Sequence, residues 1–186
     1  MLLREFFEAA EKTAVLAFGR MNPPTIGHQK LVAKVASVPG DPYIFLSQTQ
    51  KPKTDPLDFD TKLQFAKQFF PNVNIGHQDV KTIIQALQKL DKMGYDNIVY
   101  VAGDDRIQSF TDLINKYNGS EYNFKNIEIV SAGERDPDAE GAEGMSASKM
   151  RAAASSEDFK SFQAGTPDPK HAQDMYIAVR KGMGLE

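Results

Sequence analysis

The chain has 186 residues, enough for one domain with at most a small appendage. Hydrophobic residues make up 41% and charged residues 25%, the balance of an ordinary globular protein with a sizeable core. A formal net charge of -3 gives no general pull toward nucleic acid or an anionic membrane; the absence of cysteine excludes disulfides and thiolate metal sites and suits the reducing cytoplasm.

Residues 1–12 place Glu5, Glu8 and Glu11 among Leu2, Leu3, Phe6 and Phe7, the pattern of a short amphipathic helix rather than a signal peptide. Residues 13–18 form an apolar run that ends at Gly19, as a buried parallel strand would. Leu31, Val32, Val35 and Val38 then recur at helical spacing over 26–37, and Pro39-Gly40 stops the helix. A second strand is predicted over 43–46, a polar loop over 51–58, a helix over 63–70 ended by Pro71, and a short third strand over 73–75.

Ile83, Ile84, Leu87 and Leu90 give 80–93 an amphipathic helical pattern closed by Gly94. A fourth strand over 97–102 is followed by Gly103, a helix over 106–117 and a fifth strand over 126–130. Residues 133–144 read as an acidic, glycine-containing loop, and a helix then runs from about Ser146 to Ala154. Two further helices follow, over 157–164 and from the Asp168-Pro169 cap signal to about Gly182. The division expected is an N-terminal segment 1–12, a domain 13–155 and a helical extension 156–186. No apolar run approaches the roughly 20 residues that cross a bilayer.

Alternating strand and helix predicts an α/β fold, a Rossmann-like five-stranded parallel sheet with helices on both faces, plus C-terminal helices. Ligands in such folds bind beyond the carboxyl ends of the strands, here from Gly19, Ser47, Gly103 and Ser131 onward.

The first of these places carries Phe18-Gly19-Arg20-Met21-Asn22-Pro23-Pro24-Thr25-Ile26-Gly27-His28. Thr25 is a good helix N-cap, which puts His28 at the third helical position. First-turn amides and the helix dipole favour a phosphate there, and a histidine can donate to it. Gly27 inside the helix costs roughly 1 kcal/mol relative to alanine, so it calls for a reason, such as close approach of a nucleotide to the backbone. Pro23 and Pro24 stiffen the approach. A second helix start carries Ser146-Ala147-Ser148-Lys149-Met150-Arg151: two hydroxyls, backbone amides and a guanidinium suited to phosphate oxygens. Lys51, Lys53 and Arg20 lie at predicted strand ends, where they could meet ligand charge; His77 and His171 have no such company and read as structural.

The run Thr25-Ile26-Gly27-His28 resembles the signature of the nucleotidyltransferase superfamily marked by His-x-Gly-His or its Thr-x-Gly-His variant, to which adenylyl- and cytidylyltransferases belong. The Ser146 to Arg151 run resembles that family's second element, a Ser-rich stretch ending in Arg. The resemblance covers about residues 13–155, and its details look closest to small nucleotidyltransferases of tailed bacteriophages. It implies transfer of a nucleoside monophosphate, AMP from ATP, to a phosphate-bearing acceptor with release of pyrophosphate, in the style of nicotinamide mononucleotide adenylyltransferases. His28, with Thr25, would face the α-phosphoryl group; Arg151, Ser146 and Ser148 would hold the leaving pyrophosphate, and Mg2+ would bridge phosphate oxygens. Phe18, Gly19, Arg20, Met21 and Gly27 would line the nucleotide, and Gly103, Asp105 and Arg106 would shape the nucleotide and acceptor site. The alternatives are a cytidylyltransferase using CTP, the rival within the class, and a non-catalytic nucleotide-binding assembly protein, against which the intact Thr25, Gly27, His28, Ser146 and Arg151 speak. No protein ligand for a metal, no nucleic-acid partner and no membrane association are expected; the sequence leaves the oligomeric state open.

Overall fold

The computed structural model describes residues 10–134 and 145–185. Most of the N-terminal segment and of the acidic loop expected from the sequence lies outside the described residues. Five strands form one parallel sheet: β1 (Thr13–Gly19), β2 (Asp41–Leu46), β3 (Asn74–Ile75), β4 (Asn97–Ala102) and β5 (Asn126–Ser131). Their order is β3-β2-β1-β4-β5, so the winding reverses at β1. Seven helices complete the described chain: α1 (Ile26–Ser37), α2 (Phe59–Phe69), α3 (Ile83–Lys92), α4 (Ile107–Tyr117), α5 (Ala147–Ser155), α6 (Phe159–Gly165) and α7 (Ala172–Gly182). The fold is the Rossmann-like α/β sheet that the alternating pattern predicts.

Successive strand residues point to opposite faces, and both faces are apolar. Val15, Ala17, Ile44, Leu46, Val99 and Val101 pack under α1, α2, α5, α6 and α7. Ala14, Leu16, Tyr43, Phe45, Ile98 and Tyr100 pack under α3 and α4. The C-terminal helices share the first of these cores: Phe162, Met175 and Val179 are fully buried with Met150 and Ala154 of α5. They are structurally continuous with the sheet layer.

Boundaries moved where a cap outweighed the apolar pattern. Helix α2 starts at Phe59, a turn before the apolar repeat, because Asp58 accepts from the Thr61 amide. Helix α3 starts later than expected, at Ile83, because Thr82 caps the Gln85 amide. The predicted helix over 106–117 opens as a short 3₁₀ turn over Asp104–Arg106.

Gly182 shows how tightly α7 is seated. A Cβ there would collide with the Pro56 carbonyl in the loop between β2 and α2. Gly182→Ala would gain up to about 1 kcal/mol of helix propensity in open space. Against Pro56 it is expected to destabilise by about 1–3 kcal/mol, the cost of overpacking, read as a lower midpoint in urea unfolding. Gly94→Ala is no control, since Gly94 sits at φ +91°. An unchanged or raised midpoint in Gly182→Ala would mean that α7 is not pressed on the loop.

Candidate active site

The chain leaves β1 beneath the crevice where the sheet order reverses, the usual ligand position in doubly wound folds. Phe18 and Gly19 are half-buried, Arg20 is exposed and Met21 is buried. Asn22 is fully buried. Its Nδ2 donates to the Leu57 carbonyl at 3.0 Å, and its Oδ1 accepts from the Leu57 amide at 2.9 Å. This two-way pairing ties the β1–α1 loop to the loop preceding α2.

Thr25 is the N-cap of α1, extended in backbone and buried, and its Oγ1 accepts from the Gly27 amide at 3.1 Å. His28 returns the cap: the Thr25 amide donates to its Nδ1 at 2.9 Å. A ring nitrogen that accepts carries no proton, so in the neutral ring the proton sits on Nε2. The cap thereby selects the tautomer that can donate from the ring's far side. This division of labour between the two nitrogens is invisible in the motif alone.

Gly27 has a second neighbour. A Cβ at this position would stand 3.1 Å from the Met145 carbonyl, at the approach to α5. The missing side chain thus lets the starts of α1 and α5 lie against each other. Ser146 caps α5, accepting from the Lys149 amide at 3.2 Å, and its Oγ meets the Ser148 Oγ at 2.9 Å. The two sequence motifs, far apart in the chain, are neighbours in space.

Arg151 projects from α5 back to the first motif, where its Nη1 donates to the Asn22 carbonyl at 2.8 Å. It is half-buried rather than a surface residue. Burial holds its guanidinium below the ordinary value; Asp55 opposes that shift and Arg20 adds to it. One bond of five donors is used on Asn22, and the fork retains capacity for an anion.

Two further ionisable residues occupy the site that the sequence did not single out. Lys62, on the first turn of α2, is 0% exposed. Its Nζ donates to the Ser47 carbonyl at 2.6 Å and lies 3.4 Å from the Ser47 Oγ. Ser47 itself donates its amide to the Gly19 carbonyl at 3.0 Å, so the ammonium sits at the ends of β1 and β2. Burial first, then Arg20, pushes Lys62 down to about 8, and Asp55 works the other way. Asp55 is 3% exposed; one carboxylate oxygen accepts from the Thr54 hydroxyl at 2.7 Å. Lys62 and Arg151 are thus each acted on by the Asp55 carboxylate and the Arg20 guanidinium, and Arg151 also grips the loop before the capped start of α1.

The remaining candidates are placed less closely. Gly103, Asp105 and Arg106 follow β4, whose Tyr100 pairs with Leu16 of β1, so they share the crevice rim with Gly19. Asp105 and Arg106 are exposed, whereas Asp104 is engaged by the Ser131 hydroxyl, joining the ends of β4 and β5. Lys51 and Lys53 are exposed on a small loop closed by backbone bonds between Lys51 and Asp55. His77 tilts against Phe45 and His171 against Phe69, consistent with packing roles. Among the described residues no group of three or more acidic or histidine side chains is arranged to hold a metal ion, and no helix is long and apolar enough to cross a membrane.

No protein-family model matches the chain, and no curated protein matches it in sequence. Solved structures do match its fold. A Vibrio parahaemolyticus protein assigned as a nicotinate-nucleotide adenylyltransferase superposes with a TM-score of 0.59 at 15% identity, covering 89% of this chain and 99% of that one. The Plasmodium falciparum nicotinic acid mononucleotide adenylyltransferase complexed with NaAD gives 0.61 at 12% identity, covering 92% and 98%. Thermotoga maritima TmcAL bound with alpha-thio ATP gives 0.53 at 9% identity, covering 92% of this chain and 56% of that one.

Proposed function

We propose that the chain is a nucleotidyltransferase that moves AMP from ATP to a phosphate-bearing acceptor and releases pyrophosphate. The observation that carries this reading is the meeting of two capped helix starts at Gly27 and Met145, with His28 on one and Arg151 on the other. Its motifs look like those of the small enzymes of tailed bacteriophages, and the reading places the reaction in the cytoplasm. The structural neighbours bear the names of adenylyltransferases acting on nicotinic acid mononucleotide. A pyridine mononucleotide, in its nicotinamide or nicotinic acid form, is accordingly the acceptor to test first.

An acceptor phosphate is already a nucleophile at neutral pH, so no general base is required. Its oxygen forms the new bond to the α-phosphorus as the bond to the β-phosphate oxygen breaks, and pyrophosphate leaves with that electron pair. The protein's work is to hold two polyanions in line, which can contribute roughly 7–11 kcal/mol, and to neutralise developing charge. His28 Nε2 would donate to the α-phosphoryl oxygen, with Thr25 fixing the ring. Arg151, Ser146 and Ser148 would hold the β- and γ-phosphates, and Arg20 and Lys62 add positive charge at the strand ends. Phe18, Gly19, Met21 and Gly27 would line the nucleotide, and Gly103, Asp105 and Arg106 would bound the site on the β4 side. Mg2+ would enter with the triphosphate rather than on protein carboxylates and would supply further positive charge, since magnesium commonly keeps few protein ligands.

The experiment is pyrophosphate release from each nucleoside triphosphate with nicotinamide or nicotinic acid mononucleotide, followed by mass spectrometry of the products. A dinucleotide product identifies both substrates. Binding without any release in a broad acceptor panel would favour a non-catalytic assembly role. In calorimetry, ATP with magnesium is expected to bind more tightly than CTP. Tighter CTP binding would reassign the chain as a cytidylyltransferase, and absence of heat with every triphosphate would overturn the reading.

A further inference from the structure

Lys62 is a costly residue to bury. Its side chain is 0% exposed, and a charge taken out of water loses its hydration unless good partners replace it. A leucine or methionine would fill the same volume without that cost. The ammonium spends itself on a single residue. Nζ donates to the Ser47 carbonyl at 2.6 Å and reaches the Ser47 Oγ at 3.4 Å. Ser47 directly follows β2, and its amide donates to the carbonyl of Gly19, the last residue of β1. One buried cation from α2 therefore fixes a residue that is itself tied to the start of the Arg20 to His28 run.

The contact also sets the direction of the Ser47 hydroxyl. An ammonium has three N–H donors and no lone pair, so toward Lys62 the hydroxyl oxygen can only accept. Its own hydrogen is turned away from the cation. Ser47 makes no other side-chain bond among the described residues, and it is half-buried rather than enclosed. A serine hydroxyl ordinarily rotates to suit its surroundings. Here the buried cation restricts it to donating away from α2, at the carboxyl ends of β1 and β2, where ligands of such sheets bind. A hydroxyl donating to an ionised oxygen makes one of the stronger hydrogen bonds, and a donor oriented in advance needs no reorganisation when the anion arrives.

We propose that the Ser47 hydroxyl donates to a substrate phosphate and that Lys62 is the positioning residue that aims it. The inference rests on the function proposed above and adds a donor at the end of β2 to those on α1 and α5. Lys62 is buried too deeply to touch the substrate and acts through Ser47. The phosphate belongs either to ATP or to the mononucleotide acceptor, and both present the same ionised oxygens to the hydroxyl.

The test is calorimetry of the full chain as wild type, Ser47→Ala, Lys62→Met and the double variant. Each is titrated with ATP and magnesium and, separately, with nicotinamide or nicotinic acid mononucleotide. Ser47→Ala leaves the carbonyl for Lys62 to hold, and it is expected to bind one of the two ligand classes about tenfold or more weakly. The class that weakens identifies the phosphate. Lys62→Met should weaken the same ligand, and the double variant should be no worse than Ser47→Ala, because the lysine acts through the hydroxyl. Adenosine and nicotinamide riboside, which carry no phosphate, should bind every variant alike. Unchanged affinity for both phosphate ligands in Ser47→Ala overturns the proposal and leaves the function proposed above standing. Additive losses in the double variant, or equal weakening of the ligands without phosphate, also overturn it, since they mark Lys62 as a support of the fold alone. If the wild type binds neither ATP nor mononucleotide, the proposed function falls and this inference with it. Should Lys62→Met not fold, Lys62→Gln, which keeps a neutral donor for the Ser47 carbonyl, takes its place under the same criteria.

Discussion

Replacing His28 with alanine is expected to lower turnover about 10²–10³-fold while substrate affinity falls much less, by analogy with the loss of one positioned donor at a developing oxyanion. The structure makes the experiment sharper than a single truncation. His28 has two tasks on two atoms in the proposed reaction: Nδ1 accepts from the Thr25 amide, and Nε2, which carries the proton, would donate to the substrate. Alanine removes both, and losing the reciprocal cap should cost stability of the order of 0.5–2 kcal/mol. Asparagine places an oxygen near the Nδ1 position and nothing at Nε2. His28→Asn should therefore hold the thermal stability of the wild type yet lose turnover as fully as alanine. Stopped-flow or steady-state rates on both variants, with melting curves, separate the tasks. Near-normal turnover in a folded His28→Asn protein would remove Nε2 from the chemistry.

For Arg151→Ala the expected loss is in binding. If the guanidinium holds the β- and γ-phosphates, ATP and pyrophosphate should weaken about 10- to 150-fold, the equivalent of a charge-assisted hydrogen bond of roughly 1.5–3 kcal/mol. AMP lacks those groups and should bind almost as before. The bond from Arg151 to the Asn22 carbonyl adds a complication absent from a surface arginine, because the β1–α1 loop loses a tie. Dissociation constants for all three ligands distinguish the cases. Equal weakening of ATP, pyrophosphate and AMP would signal a collapsed loop, and unchanged ATP binding would exclude Arg151 from the phosphate site.

Much of this architecture is legible in the residues. Apolar runs such as residues 14–17 and 98–101 announce buried strands, and Gly19 and Gly103 mark where they open onto the crevice. Thr25 and Ser146 are caps by residue type, and both cap in the structure. Lys62 and Asp55 were not legible, for a physical reason. A lysine on a helix and an aspartate in a Lys- and Pro-rich loop are usually solvated, and only tertiary packing buries them. The start of α2 could have been read from Asp58 three residues before Thr61, a cap signal that would also have moved Lys62 into the first turn, next to the strand ends. The reason for Gly27 was only partly legible, since its neighbour Met145 belongs to a distant stretch of chain.

The bond between Arg151 and Asn22 joins residues 129 positions apart. Thermodynamically such a span is inexpensive, because each doubling of loop length adds only about 0.6 kcal/mol of closure entropy. In time it matters more. On a translating ribosome β1 and α1 emerge first, but the arm that grips their loop, and α7 that presses on Pro56, emerge only after all five strands. Until then Asn22 can pair with Leu57 yet lacks its partner from α5. A nascent chain can thus display the Thr25 to His28 turn long before it can assemble a phosphate pocket around it.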